Sequence, residues 1–122
     1  KDGIQAITLK GIEGLEKIQK ILDTLRSNTP EKFGDYKVLS VRDYKKDTIT
    51  DLATGKVTPT GLPSSNVLYY DLEDNAWLCV RPSGTEPKVK FYYGIKGESL
   101  EDADAKSEKL GKEVVNMINE MV

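Results

Sequence analysis

The sequence predicts an α+β domain in which helices cover one face of a four-stranded, mainly antiparallel sheet. Three observations carry this. Apolar residues recur at helical spacing near both ends, four segments between them read as strands, and Glu73-Asp74-Asn75 is short enough to join the middle two as a hairpin. At the start, Ile4, Ile7 and Leu9 allow a short strand. Ile12, Leu15, Ile18, Leu22 and Leu25 then place an apolar stripe along a first helix, which ends before Pro30. The strands are predicted at residues 37–44, 67–72, 76–80 and 89–95. In the last, Val89, Phe91, Tyr93 and Ile95 alternate with Lys88, Lys90 and Tyr92, the period of a strand with one buried face. Residues 45–66 carry Thr, Gly, Pro and Ser with little periodicity and are expected to form a mobile connection. Ser99, three residues before Asp102, opens a second helix whose stripe is Ala103, Leu110, Val114, Met117 and Met121. Gly111 weakens that helix by about 1 kcal/mol relative to Ala, so its smallness is read as room for close packing. The acidic residues Glu98, Glu101, Asp102 and Asp104 are read as compensation of the helix dipole, not as a metal site.

The chemistry is concentrated in Arg81-Pro82-Ser83-Gly84-Thr85-Glu86-Pro87. An arginine grips an oxyanion with two parallel charge-assisted hydrogen bonds, and Ser83 and Thr85 add short neutral donors. Gly84 lets backbone and ligand approach and permits the positive φ at which successive amides converge on an anion. Pro82 and Pro87 restrict the chain on either side. Lys90, pointing away from the apolar side of its strand, is within reach of the same anion. The composition also suits an ordinary hairpin turn, for which Pro, Ser and Gly are common residues. Glu86 is read as structural, because a carboxylate beside a bound anion repels it. Trp77, Tyr44, Tyr69, Tyr70, Tyr92 and Tyr93 are read as packing residues.

Composition removes other chemistries. The chain has no histidine, so an imidazole acid or base and a Cys/His metal site are absent. Cys79 is the single cysteine, which rules out an internal disulfide, fits a reducing compartment and reads as a small buried residue. With 18 basic against 20 acidic residues, the net charge of −2 supplies no broad basic field for nucleic acid or anionic lipid. No apolar stretch is long enough to span a bilayer and no secretory signal opens the chain. The expectation is a soluble cytoplasmic fragment of a larger protein, with neither a nucleic acid nor a membrane as partner.

The ordered string from Arg81 to Lys88, followed by an aromatic strand and a closing helix, resembles the C-terminal (fourth) domain of the α-D-phosphohexomutases, the phosphoglucomutase and phosphomannomutase group. The likeness extends to Gly11-Ile12-Glu13-Gly14-Leu15, Val41-Arg42-Asp43-Tyr44 and Leu62-Pro63-Ser64, and is greatest to the bacterial phosphoglucomutase branch. It implies a fold like that of the TATA-box-binding protein, with residues 1–10 a linker remnant from a preceding domain and 11–122 the C-terminal phosphate-binding domain. It further implies that Arg81, Ser83, Gly84, Thr85 and Lys90 hold the non-transferred phosphate of a hexose phosphate or hexose 1,6-bisphosphate while the domain helps close the active site. The phosphoserine and Mg2+ of the reaction are expected on other domains of the same polypeptide. This fragment holds no catalytic residue and no metal, and is expected to be inactive by itself. A non-catalytic sugar-phosphate-binding regulatory module would present the same loop.

Overall fold

Helix α1, Gly11–Ser27, and helix α2, Leu100–Met121, lie on one side of an antiparallel sheet and bury their stripes against it. The computed structural model describes residues 2–8, 11–83 and 88–121, with the side chains of residues 14, 16–83 and 88–120. The predicted architecture holds, but the strand count does not. The described residues form eight strands: β1 (Asp2–Thr8), β2 (Lys32–Phe33), β3 (Tyr36–Asp43), β4 (Thr48–Asp51), β5 (Val57–Thr58), β6 (Leu68–Leu72), β7 (Trp77–Pro82) and β8 (Lys88–Gly94). Their order is β1-β8-β7-β6-β3-β4-β5, with β2 paired to β3 outside that path.

The additional strands lie where residue pattern carries least information. β1 pairs with β8 along its full length, from Asp2–Gly94 to Thr8–Lys88, and supplies the short strand that Ile4 and Ile7 allow. The segment expected to be an aperiodic connection contains β4 and β5, a polar hairpin held by backbone pairing at the sheet edge. Asp47 organises its base, accepting hydrogen bonds from the Thr60 amide at 3.0 Å, the Thr60 hydroxyl at 2.5 Å and the Gly61 amide at 3.1 Å. Between β6 and β7, Asp74 and Asn75 both take positive φ, which Asp and Asn tolerate better than most residues and which reverses the chain tightly.

Burial alternates along the strands as a one-sided sheet requires. Val89, Phe91 and Tyr93 are buried in β8, and Leu68, Tyr70 and Leu72 in β6, against Ile18, Leu22 and Leu25 of α1 and Leu110, Val114 and Ile118 of α2. Ile118 joins the predicted stripe, Met117 packs at its margin, and the side chains of Ile12, Leu15 and Met121 lie outside the described residues. Phe33 and Tyr70 meet edge to face, with centroids 4.8 Å apart. The second helix starts where its cap specifies: Ser99 Oγ accepts the Asp102 amide at 3.1 Å, and Asp102 Oδ2 accepts the Glu98 amide at 2.9 Å.

Candidate functional site

With both helices on one side, the alternate residues of β3, β6, β7 and β8 form a helix-free face. Register lines up Arg42, Tyr69, Cys79 and Tyr92 across it in one row. Two residues along β7, Arg81 stands opposite Lys90. Arg81 is exposed and Lys90 half-buried, and among the described residues no carboxylate pairs with either. Like charges directly opposite on one face of a sheet destabilise it, so this arrangement suits an anion that neutralises both.

The strand ends shape the approach to this pair. The Ser83 amide donates to the Lys88 carbonyl at 2.8 Å, closing a rung immediately below residues 84–87. The Ser83 amide is thus committed to the strand pair, a distinction that residue type does not reveal. Pro82 is tolerated in the strand because pairing between β6 and β7 ends at Leu68–Val80, before a missing N–H at Pro82 would interrupt that ladder. Of the five residues singled out from the sequence, Arg81, Ser83 and Lys90 meet at this end of the β7–β8 pair. Gly84 and Thr85, with Glu86 and Pro87, lie outside the described residues. Lys88, which stands two residues from Lys90 on the same face, adds a further cation. The period-2 alternation that orients Lys90 also identifies Lys88.

The other end of the face is internally satisfied. Arg42 donates through Nε and Nη2 to the two oxygens of Asp71, both at 3.1 Å, and the Ser40 hydroxyl donates to Asp71 Oδ2 at 2.5 Å. The Arg42 guanidinium lies 4.7 Å from the Tyr69 ring centroid, and Tyr69 stacks on Trp77 with centroids 5.7 Å apart and planes 7° from parallel. Trp77, Tyr69 and Tyr92 are thus packing residues of the open face, while Tyr70 and Tyr93 belong to the core. Cys79, read from the sequence as a buried residue, is instead half-buried, because its place in the alternation of β7 puts it on the open face. Partial burial pushes its thiol above the ordinary pKa, with Arg81 opposing, so the sulfur stays protonated and weakly nucleophilic. Among the described residues no group of three or more His, Cys, Asp or Glu side chains is placed to hold a metal ion, and no helix is long and apolar enough to cross a membrane.

Residues 15–109 match the family model described as phosphoglucomutase/phosphomannomutase, C-terminal domain. A phosphoglucomutase of Staphylococcus aureus (strain bovine RF122 / ET3-1) is 35% identical over 106 residues, covering 87% of this chain and 19% of the relative. A phosphoglucomutase of Staphylococcus saprophyticus subsp. saprophyticus is 31% identical over 122 residues, covering 100% of this chain and 21% of the relative. The chain spans about a fifth of the length of these curated relatives. By sequence, the chain belongs to the phosphoglucomutase/phosphomannomutase family, matching its C-terminal domain.

Proposed function

We propose that this chain grips the non-transferred phosphate of a hexose phosphate within a phosphoglucomutase- or phosphomannomutase-type enzyme. The observation that carries the reading is the cross-strand pair Arg81–Lys90, two cations held face to face at the mouth of a Ser-Gly-Thr loop. Arg81 supplies the bidentate contact, Ser83 and Thr85 their hydroxyls, Gly84 its amide, and Lys90 charge from the neighbouring strand. In the complete enzyme a phosphoserine and Mg2+ held on other domains would supply the phosphoryl group and its charge neutralisation, while this chain holds the far end of the sugar. The hexose 1,6-bisphosphate turns and returns its other phosphate, interconverting 1-phosphate and 6-phosphate.

The contribution of this domain is alignment. Phosphoryl transfer depends on positioning and charge stabilisation, and a fixed phosphate handle orients the reacting end of the sugar without entering the chemistry. Binding through the handle also draws the domain over the substrate as a lid, and release lets the intermediate turn. Residues 1–10 lead in from a preceding domain and contribute β1 to the sheet of the phosphate-binding unit, 11–122, and the enzyme works in the cytoplasm. The unit turns over no substrate by itself.

The reading is tested by titrating the isotope-labelled chain with glucose 1-phosphate, inorganic phosphate and glucose while following backbone amides by NMR. Selective movement of residues 83–85 with the two phosphates, absent with glucose and lost in Arg81→Ala, is the expected result. In the full-length enzyme the same substitution lowers kcat/KM by about tenfold or more, the weight of one charge-assisted contact. Unchanged kcat/KM would remove Arg81 from the site.

A further inference from the structure

On the helix side of the sheet, the face opposite Arg81 and Lys90, a cleft of about 140 Å³ lies between the end of α1, β3 and β4. Its polar lining is Arg26, Thr29, Asp43, Lys46, Thr48 and Thr50, over an apolar floor. Arg26 and Asp43 form an ion pair at 3.1 Å with side-chain exposures of only 7% and 9%. The two partners differ in how fully they are used. Asp43 Oδ2 accepts from Arg26 Nε, while Oδ1 accepts the amides of Lys45 at 3.1 Å and Lys46 at 3.3 Å. Arg26 donates through Nε to Asp43 and through Nη2 to Asn66 Oδ1 at 2.7 Å, and its buried Nη1 has no hydrogen-bond partner among the described residues.

The cleft is therefore short of acceptors. Its one carboxylate already accepts three hydrogen bonds, whereas a buried guanidinium N–H group, the Lys46 ammonium and three threonine hydroxyls can donate. Register keeps two of those hydroxyls in place, with Thr48 opposite Asp43 and Thr50 opposite Val41. Two cations against one acid leave a net positive charge. The volume is far above the roughly 10–15 Å³ that one water requires, so a polyatomic guest fits.

We propose that this cleft is a second oxyanion site, binding a small phosphate or carboxylate through Arg26 Nη1, Lys46 and the threonine hydroxyls. It is separated from the Arg81 loop by the sheet and does not depend on the function proposed for that loop.

The test is an NMR titration of the isotope-labelled chain at constant ionic strength, with inorganic phosphate in one arm and propionate in the other. Saturable shifts at the Lys46, Thr48 and Thr50 amides are expected in at least one arm, and the stronger arm identifies the anion. Arg81→Ala leaves these shifts intact, whereas Lys46→Ala combined with Thr50→Val weakens them at least about threefold, as loss of one exposed charge and one neutral donor requires. Arg26→Lys keeps a cation beside Asp43 but removes the forked donor, and abolishes the shifts. Should that variant not fold, the Lys46 and Thr50 pair decides alone. Absence of saturable shifts in both arms, insensitivity to the Lys46 and Thr50 substitutions, or loss of the shifts in Arg81→Ala overturns the proposal.

Discussion

Arg81 of β7 and Lys90 of β8 are direct cross-strand partners on the helix-free face. In the absence of ligand their repulsion costs the sheet stability, and a bound phosphate reverses its sign. Lys90→Gln is thus expected to stabilise the unliganded chain by about 0.5 kcal/mol while weakening phosphate binding. Urea denaturation with and without phosphate measures both quantities. A variant less stable than the parent and equal in phosphate affinity would show that Lys90 serves packing only.

The Arg26–Asp43 pair predicts the opposite kind of result. Asp43→Ala strands a buried guanidinium and is expected to cost about 3–5 kcal/mol. Replacing Arg26 by Leu in the same protein removes the stranded charge and recovers part of that loss. A chemical-denaturation double-mutant cycle measures the coupling, and strictly additive effects would exclude it.

Tyr70 is fully buried, and its hydroxyl has no hydrogen-bond partner among the described residues. Burial raises its pKa far above the ordinary tyrosine value, with the nearby Arg26 acting in the opposite direction. The folded chain keeps this proton while the unfolded chain loses it near pH 10, so stability falls as pH rises above about 10. Tyr70→Phe retains the ring contact with Phe33, removes the orphan hydroxyl and is expected to gain about 1 kcal/mol at neutral pH. Its alkaline melting profile should also be flatter than that of the parent.

Acid acts through a different residue. The hydrogen bond from the Thr60 hydroxyl holds the Asp47 carboxyl below its ordinary pKa; burial opposes it, and the Gly61 and then the Thr60 amide add smaller lowering effects. A depressed carboxyl contributes stability above its unfolded pKa, near 4, and that contribution is lost as pH falls through the folded value. Amide exchange at Thr60 and Gly61 should therefore accelerate below about pH 4 relative to the core. Asp47→Asn makes exchange there faster at neutral pH and removes this acid dependence.

Gly97 precedes the second helix, and a Cβ there would meet the backbone N and Cα of Ala103. Because the obstacle is main chain, the helix start must move. Gly97→Ala is expected to destabilise by about 1–3 kcal/mol, read as a lowered Tm. An unchanged Tm would mean that the start of α2 adjusts at no cost.

Periodicity made the two helices, the four principal strands and the outward direction of Lys90 legible in sequence. It did so because one-sided burial leaves a repeating mark on residue type. The edge hairpin Thr48–Asp51 and Val57–Thr58 left no such mark, since its polar residues are placed by backbone pairing and by the Asp47 turn. The Arg81-to-Thr85 string carries an anion-binding composition in sequence, but the engagement of the Ser83 amide by the Lys88 carbonyl does not show there, because that contact depends on strand register. Arg26 escaped notice for a related reason: its partners Asp43 and Asn66 are 17 and 40 residues away, and no local pattern links them.

The Ser83–Lys88 rung fixes the register of β7 and β8 through described residues alone. That pairing runs through main-chain atoms and does not draw on the side chains of residues 84–87. Arg81 and Lys90 would then stay in register while the intervening residues are rewritten. On the proposed function, substitutions among those residues should alter anion preference while the stability of the helix-packed face stays intact, and a designer seeking a new preference would graft there first.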